Sequence, residues 1–353
     1  MSLATLLARA GLAASLSACG AGAAAQAVGP ATPALPAVPA VLIDAALQSP
    51  KALAAATLAV ARAGRRLVAA GERGTVLLSD DDGASWRQTA VPVQTTLTAL
   101  RFVDERSGWA TGHLGVILHT ADGGQSWTRQ LDGVRAGALL AAAAPAQRWV
   151  EDGPDKPFFD IDFSDAQHGV AVGAYNLAMS TADGGRSWQP LSARLPNPKR
   201  LHLYAVRTIG SAVVVAGEQG ALFKSTDGGA SFAPLASPYK GSFFGLLATR
   251  AGSLIAYGLR GHAFRSADQG ASWEPVETGS ATSLVAGIAL DDGSLALLNQ
   301  TGELLISRDD GRRFNKTPAA EPVPAASLAV AADGRVVLAS LRGMRRAGRP
   351  AAP

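Results

Sequence analysis

The octapeptide TADGGQSW, Thr120–Trp127, decides the fold because it does not occur alone. It returns as TADGGRSW at Thr181–Trp188 and, lightly altered, as SDDDGASW (Ser79–Trp86), STDGGASF (Ser225–Phe232), SADQGASW (Ser266–Trp273) and SRDDGRRF (Ser307–Phe314). Its third-position aspartates, Asp81, Asp122, Asp183, Asp227, Asp268 and Asp309, are spaced by 41, 61, 44, 41 and 41 residues. A second landmark lies eight residues upstream of each opening Ser or Thr. It is a G-x-x-G-like turn beginning at Gly71, Gly112, Gly173, Gly217, Gly258, Asn299 and Ser340. Ser340 follows Asn299 by 41 residues, so Ser340-Leu341-Arg342-Gly343 marks a seventh unit that lacks the octapeptide.

A repeat of about 40 residues built from short β-rich segments reads as a propeller blade of four strands. The fourth unit supplies them at Leu203–Arg207, Ala212–Gly217, Ala221–Ser225 and Phe232–Leu235. The expected fold is therefore all-β, a seven-bladed propeller of four-stranded antiparallel blades over residues 41–346. The last unit offers only Ser327–Ala331, Arg335–Ala339 and a strand near Met344. Val41–Asp44 is expected to complete that blade, closing the ring with an N-terminal strand and removing its open edges. One short helical insertion is expected around Gly137–Val150, inside the 61-residue step. Residues 347–353 read as a disordered tail.

The octapeptide has its own physical reading. An Asp in the turn between the third and fourth strands can accept backbone N–H bonds, and the Gly two residues later permits a conformation that a Cβ would oppose. The closing Trp or Phe packs over the turn. The motif resembles the Asp-box of bacterial neuraminidase repeats, and its six aspartates read as turn staples, not catalysts.

Composition narrows the function. The chain has 353 residues, 48% hydrophobic and 17% charged, with the apolar share drawn largely from Ala, so it is not a multi-span membrane protein. Its single Cys excludes a disulfide framework and any Cys-rich metal site. A net charge of +4, with Arg far outnumbering Lys, suits acidic partners locally without making a nucleic-acid footprint. Residues 1–27 read as a signal peptide, in which Leu16–Cys19 (LSAC) looks like a bacterial lipobox with Cys19 as the lipidation site. The alternative cleavage pattern Ala25-Gln26-Ala27 would release a soluble product. Residues 28–40 form a Pro- and Ala-rich tether. The expected location is the periplasm, with membrane contact only through a possible lipid anchor.

In a four-stranded blade the turn between strands two and three shares a face with the connections between blades. The G-x-x-G turns place Arg73, Arg260 and Arg342 at their third positions, and Glu72, His113 and Glu218 at their second. Loops on a rigid scaffold are where function concentrates, so these residues, with Tyr239 from the connection SPYKGSFFG (Ser237–Gly245), are the candidate partner-binding set. Tyr239, Phe243 and Phe244 either join this surface or fill the core between blades; the arginines either bind or are solvated turn residues.

The segments DIDFSDAQHGVAVGAYNLAMSTADGGRSW (Asp160–Trp188) and GEQGALFKSTDGG (Gly217–Gly229) carry a further resemblance, as does the lead-in F-x-D-x-x-x-G-x-A-V-G at Phe163–Gly173 and, with Trp109, at Phe102–Gly112. Together they resemble the photosystem II stability/assembly factor family over nearly the whole of residues 41–346. The helical insertion, GSFFG and GLRG look like its non-photosynthetic bacterial branch. The resemblance implies an exported, monomeric, non-catalytic scaffold without cofactor or metal. It would bind a membrane-protein complex or its assembly intermediate, photosystem II-like in a photosynthetic host and a transporter otherwise. In the photosynthetic members an Arg-rich patch does the binding, onto which Arg73, Arg260 and Arg342 map by blade position. The alternatives are a glycan- or small-ligand-binding propeller and a sialidase-like glycoside hydrolase. For the hydrolase, Tyr175, Tyr204, Tyr239 and Tyr257 lack a nucleophile's setting, the R-I-P signature is missing, and seven units disagree with a six-bladed sialidase ring. Glu72 and Glu218 are the one carboxylate pair that could serve it; His113 and His262 read as turn residues.

Overall fold

The computed structural model describes residues 38–143, 153–317 and 322–348. It contains seven antiparallel sheets with strands paired in chain order, six of four strands and one of three. The blades span residues 57–88, 97–131, 158–190, 203–234, 243–276, 284–316 and 325–346. The first strand of every blade touches the first strands of both neighbours, blade 1 meeting blade 7, so the seven line a closed ring about one axis. Second strands such as Gly169–Gly173 (GVAVG) are buried at every position. Both faces of such a strand pack against other blades, which explains apolar runs without alternation. The core is correspondingly divided into one apolar cluster per blade junction.

The Asp-boxes fold as their sequence implies. In the fourth blade Ser225 Oγ donates to Asp227 Oδ1 (2.6 Å), while the Ser231 amide and hydroxyl bond its two carboxylate oxygens (3.0 and 2.6 Å). Gly229 N donates to Ser225 Oγ (2.8 Å), and its φ of 90° is a left-handed conformation that favours glycine. The same set recurs at Asp81, Asp122, Asp183 and Asp268. At Asp309 the Ser307 hydroxyl keeps its bond, and the Arg312 and Arg313 amides stand in for the second Ser. This glycine also faces the preceding blade. A Cβ at Gly124 would meet Val68 and Leu78 of blade 1, and one at Gly311 would strike Ile255 of blade 5.

The F-x-D-x-x-x-G lead-in is a turn clasp between strands one and two. Asp104 accepts the amides of Arg106 and Ser107, and Asp165 those of Gln167 and His168, all within 2.8 Å. The Phe102 and Phe163 rings lie over Gly108 and Gly169, where a Cβ would collide with them.

Ring closure departs from the expectation. Val41–Asp44 is not the fourth strand of blade 7: Ala40–Leu42 forms a 3₁₀ turn after Pro39, and among the described residues blade 7 has three strands. Leu42 is fully buried in the cluster between blades 1 and 2, beside Val91, Val93 and Leu97. Backbone bonds run from Gln94 N to Val41 O (2.7 Å) and from Ala46 N to Val91 O (2.8 Å). The ring closes instead through blade 1 itself. Thr57 Oγ1 donates to Ser340 O and accepts from Ser340 N (both 3.1 Å), and Gly83 of the first Asp-box abuts Val337. The outermost strand of blade 7 among the described residues carries Arg345 and Arg346, and charge discourages strand addition there.

The helix spans Gly133–Ala143, starting earlier than expected because Asp132 caps it, accepting the Arg135 amide at 3.0 Å. Residues 144–150 of the expected helix lie outside the described residues, as do Cys19, the signal peptide, most of the tether and residues 349–353. Ala347, expected in the tail, still donates its amide to Val336 O (2.8 Å). Among the described residues no helix is long and apolar enough to cross a membrane.

Candidate functional site

The G-x-x-G turns are built by close approach on two sides. A Cβ at the first glycine would collide with the backbone entering the same blade, at Ala56 for Gly71 and His202 for Gly217. A Cβ at the last glycine would collide with the connection leaving the blade, at Val93 for Gly74, Tyr239 for Gly220 and Ser280 for Gly261. The turns and interblade connections therefore share one face. The third residue of these turns is left-handed: Arg73, Leu114, Tyr175, Gln219 and Arg260 have φ of 53–57°. That conformation costs a residue with a Cβ about 1–2 kcal/mol; Arg73, Tyr175, Gln219 and Arg260 are exposed from it, whereas Leu114 packs on the core between blades 1 and 2. In blades 6 and 7, where Asn299 and Ser340 replace the first glycine, their buried side chains hold the turn by hydrogen bonds to Thr301 N and Arg342 N (both 3.1 Å).

Arg73, Arg260 and Arg342 are exposed and make no ion pair or side-chain hydrogen bond among the described residues. They occupy blades 1, 5 and 7, so one side of the face is cationic. Glu72 and Glu218 are engaged: Glu72 accepts the Ala56 amide and Glu218 the His202 amide, both at 3.1 Å. Each carboxylate ties its turn to the incoming chain of its own blade, and the two do not form a pair. His113 is exposed on its turn, with its backbone bound to Thr96 O (2.9 Å). Tyr239 is half-buried, donates its hydroxyl to Leu259 O (3.2 Å), and packs against His262 and Phe264 at 4.7 and 5.5 Å between ring centres. Of its neighbours, Phe243 is wholly buried in the junction core, whereas Phe244 is not. Among the described residues no group of three or more His, Cys, Asp or Glu could hold a metal ion.

The structure adds a region that sequence reasoning did not single out. Every first strand bulges at its second residue, as between Leu203 and Ala205 or Phe243 and Gly245. The bulged residue stands at the turn-face mouth of the ring. In blades 3, 4 and 5 it is Phe159, Tyr204 and Phe244, with ring centres 5.3 and 5.6 Å apart in sequence. His202 and then the half-exposed Tyr175, 4.6 Å from it, carry this aromatic run outward to the rim. The other blades place Leu58, Thr98, Val285 and Ala326 there.

Beneath the aromatics lies a charged layer. Asp160 accepts from Arg207 (2.7 Å) and from Val206 N (3.0 Å), while Asp162 binds the amide and hydroxyl of Thr208 (2.7 and 2.8 Å) and pairs with Arg101 (2.8 Å). Blade 3 is thereby clipped to blades 2 and 4. Burial pushes the Asp160 carboxyl up, opposed by Arg207 and the Val206 amide. Burial would lower Arg207, but Asp160 and Asp162 outweigh it and hold the guanidinium above its ordinary value. The sequence signal was the alternation DIDF, which puts both carboxylates on the strand face opposite Ile161 and Phe163.

Comparison with known proteins agrees with this architecture. A photosystem II assembly lipoprotein Ycf48 of Synechococcus sp. (strain CC9902) is 36% identical over 76 residues, which are 22% of this chain and 23% of that protein. The chloroplastic photosystem II stability/assembly factor HCF136 of Cyanidioschyzon merolae is 32% identical over 92 residues, 25% of this chain and 21% of that one. The chain thus matches under a quarter of the length of either relative. A solved structure of YCF48 bound to a D1 peptide superposes with a TM-score of 0.65 at 17% identity, covering 90% of this chain and all of that one. Residues 78–137 and 141–286, more than half of the sequence, match the family described as photosynthesis system II assembly factor YCF48, and the chain belongs to that family.

Proposed function

We propose that this protein is an exported, non-catalytic binding propeller whose turn face captures an extended, acid-bearing segment of a membrane protein and so assists the assembly or stability of that protein's complex. One observation carries the reading: Arg73, Arg260 and Arg342 present guanidinium groups, unpaired among the described residues, on the same face as the aromatic mouth. Two of them do so from left-handed backbone that glycine would adopt more cheaply. Arginine offers a planar fork for carboxylates, and aromatic side chains offer apolar area at low entropic cost. Family membership and the D1 peptide held by a structural relative support a protein partner. Glu72 and Glu218, the carboxylates a hydrolase would need, are already bound to backbone. Cys19 is the proposed lipid anchor, on the periplasmic side, in keeping with a relative named as a lipoprotein. The partner is a photosystem II-like subunit in a photosynthetic host and a transporter-type protein in another.

The test is crosslinking in cells followed by mass spectrometry, comparing wild type with an Arg73→Glu/Arg260→Glu/Arg342→Glu variant of unchanged Tm. Capture of one membrane protein by wild type, lost in the variant, is the expected result. Equal capture by both removes the arginine face from the reading. The aromatic run favours a second reading, since a sugar ring could stack on Tyr204 and Phe244. A saccharide-induced rise in Tm that is lost in Tyr204→Ala, with no protein captured, would select glycan binding instead.

A further inference from the structure

Residues 38–56 cross the turn face at its edge. Gln94 N holds Val41 O, the Gln88 side chain donates to Leu47 O (2.9 Å) and accepts the Ser49 amide (2.9 Å), and the next residues reach blade 7, where Gly343 abuts Leu53 O (2.8 Å from a Cβ built there). Leu42 and Ala46 point inward and are buried. The other large apolar residues of this segment point out: Ile43 is 59% exposed, Leu47 72% and Leu53 47%, and Leu341 on the adjoining turn of blade 7 is 54% exposed. A short anchored segment that leaves three large aliphatic side chains in water within eleven residues needs a reason, because singly scattered exposed residues are ordinary but such a concentration is not.

Basic residues frame the group. Lys51 lies within it, and Arg73 and Arg342 stand on the two turns it touches, against one exposed carboxylate, Asp44. Val38, where the described chain begins, lies on the same edge, with 18 residues between it and Cys19. A Pro-rich tether of that length reaches at most about 55 Å. Aliphatic side chains among lysine and arginine are the chemistry that partitions into the headgroup region of an anionic bilayer.

We propose that this edge of the turn face, over blades 7 and 1, is a membrane-contact surface: Ile43, Leu47, Leu53 and Leu341 enter the interface of an anionic bilayer while Lys51, Arg73 and Arg342 meet its headgroups. Seated so, the propeller holds its aromatic mouth beside the membrane, where the segment of a membrane protein emerges. The surface does not depend on lipidation at Cys19, and it is read without any protein partner.

The experiment uses residues 35–353, a compact unit by its contacts, with vesicles of pure phosphatidylcholine and vesicles containing phosphatidylglycerol. Wild type should sediment with the anionic vesicles and release as salt rises. Leu47→Asp/Leu53→Asp should bind about tenfold or more weakly at unchanged Tm, since each change removes buried aliphatic area and adds a repelled charge. Lys51→Glu should weaken binding at low salt only. Equal sedimentation of wild type and the double variant overturns the proposal, as does no sedimentation of wild type. A concentration-dependent dimer that Leu47→Asp abolishes would assign the patch to a second copy of the chain and overturn it too. The substitutions tested here, Leu47→Asp, Leu53→Asp and Lys51→Glu, leave Arg73, Arg260 and Arg342 in place and the vesicles contain no protein, so sedimentation reads the membrane surface separately from partner capture.

Discussion

Each Asp-box aspartate is a hub whose partners hold it ionised. The Ser85 hydroxyl and amide bring Asp81 down to about 2, Ser187 does the same for Asp183, and Ser272 for Asp268, each also at about 2. Their folded values lie below the unfolded reference of about 3.9. The stabilisation they supply is therefore fully present above pH 4 and is lost as pH falls towards 2. Tm should stay level from neutral pH to about 4.5 and then drop steeply. In Asp183→Asn the neutral-pH Tm should be lower and the acid-induced drop shallower. Calorimetry across pH 2–7 checks this, and parallel curves for the two proteins would contradict the staple.

At the level of the turn, one backbone device is repeated with different cargo. Five turns present Arg73, Leu114, Tyr175, Gln219 and Arg260 from left-handed backbone, and the cargo differs although the geometry does not. Conformation therefore does not select these side chains. Arg260→Gly should relieve the left-handed strain while adding unfolded-state freedom, leaving Tm within about 2 °C of wild type. Partner capture should fall nonetheless. A loss of many degrees would mean that the guanidinium is structural. The turn's second position behaves otherwise, since the Glu72 and Glu218 carboxylates are consumed in holding their blades.

For the ring as a whole, closure is the feature that depends on distant parts of the chain meeting. Thr57 and Ser340 are joined by two hydrogen bonds across 283 positions, and the first Asp-box rests on the last blade as each other box rests on its predecessor. The N-terminal segment acts as a plug through Leu42 and not as a strand. Leu42→Ala should cost about 2–5 kcal/mol, as emptied core sites do, whereas Ile43→Ala, at an exposed position, should leave Tm nearly unchanged. Denaturant unfolding of the two variants tests this directly, and equal losses would favour a paired strand in which both residues serve.

Blade count, strand positions, the Asp-box bonding and the turn face were all readable from the chain alone, because each arises within about 40 residues. A local motif such as Ser225 to Ser231 carries both partners of its own hydrogen bonds. The route of Val41–Asp44 was not readable. Three apolar residues and an aspartate after a Pro-rich stretch fit a strand edge or a core plug equally well, and only the site beside Val91 and Val93 chose between them. The aromatic mouth and the layer of Asp160, Asp162, Arg101 and Arg207 were hidden for the same reason. Their members come from different blades and meet only after the first strands close into a ring. Sequence determined what each blade is; the tertiary structure decided what the blades make together, because contacts between repeats are long-range and leave no spacing in the chain.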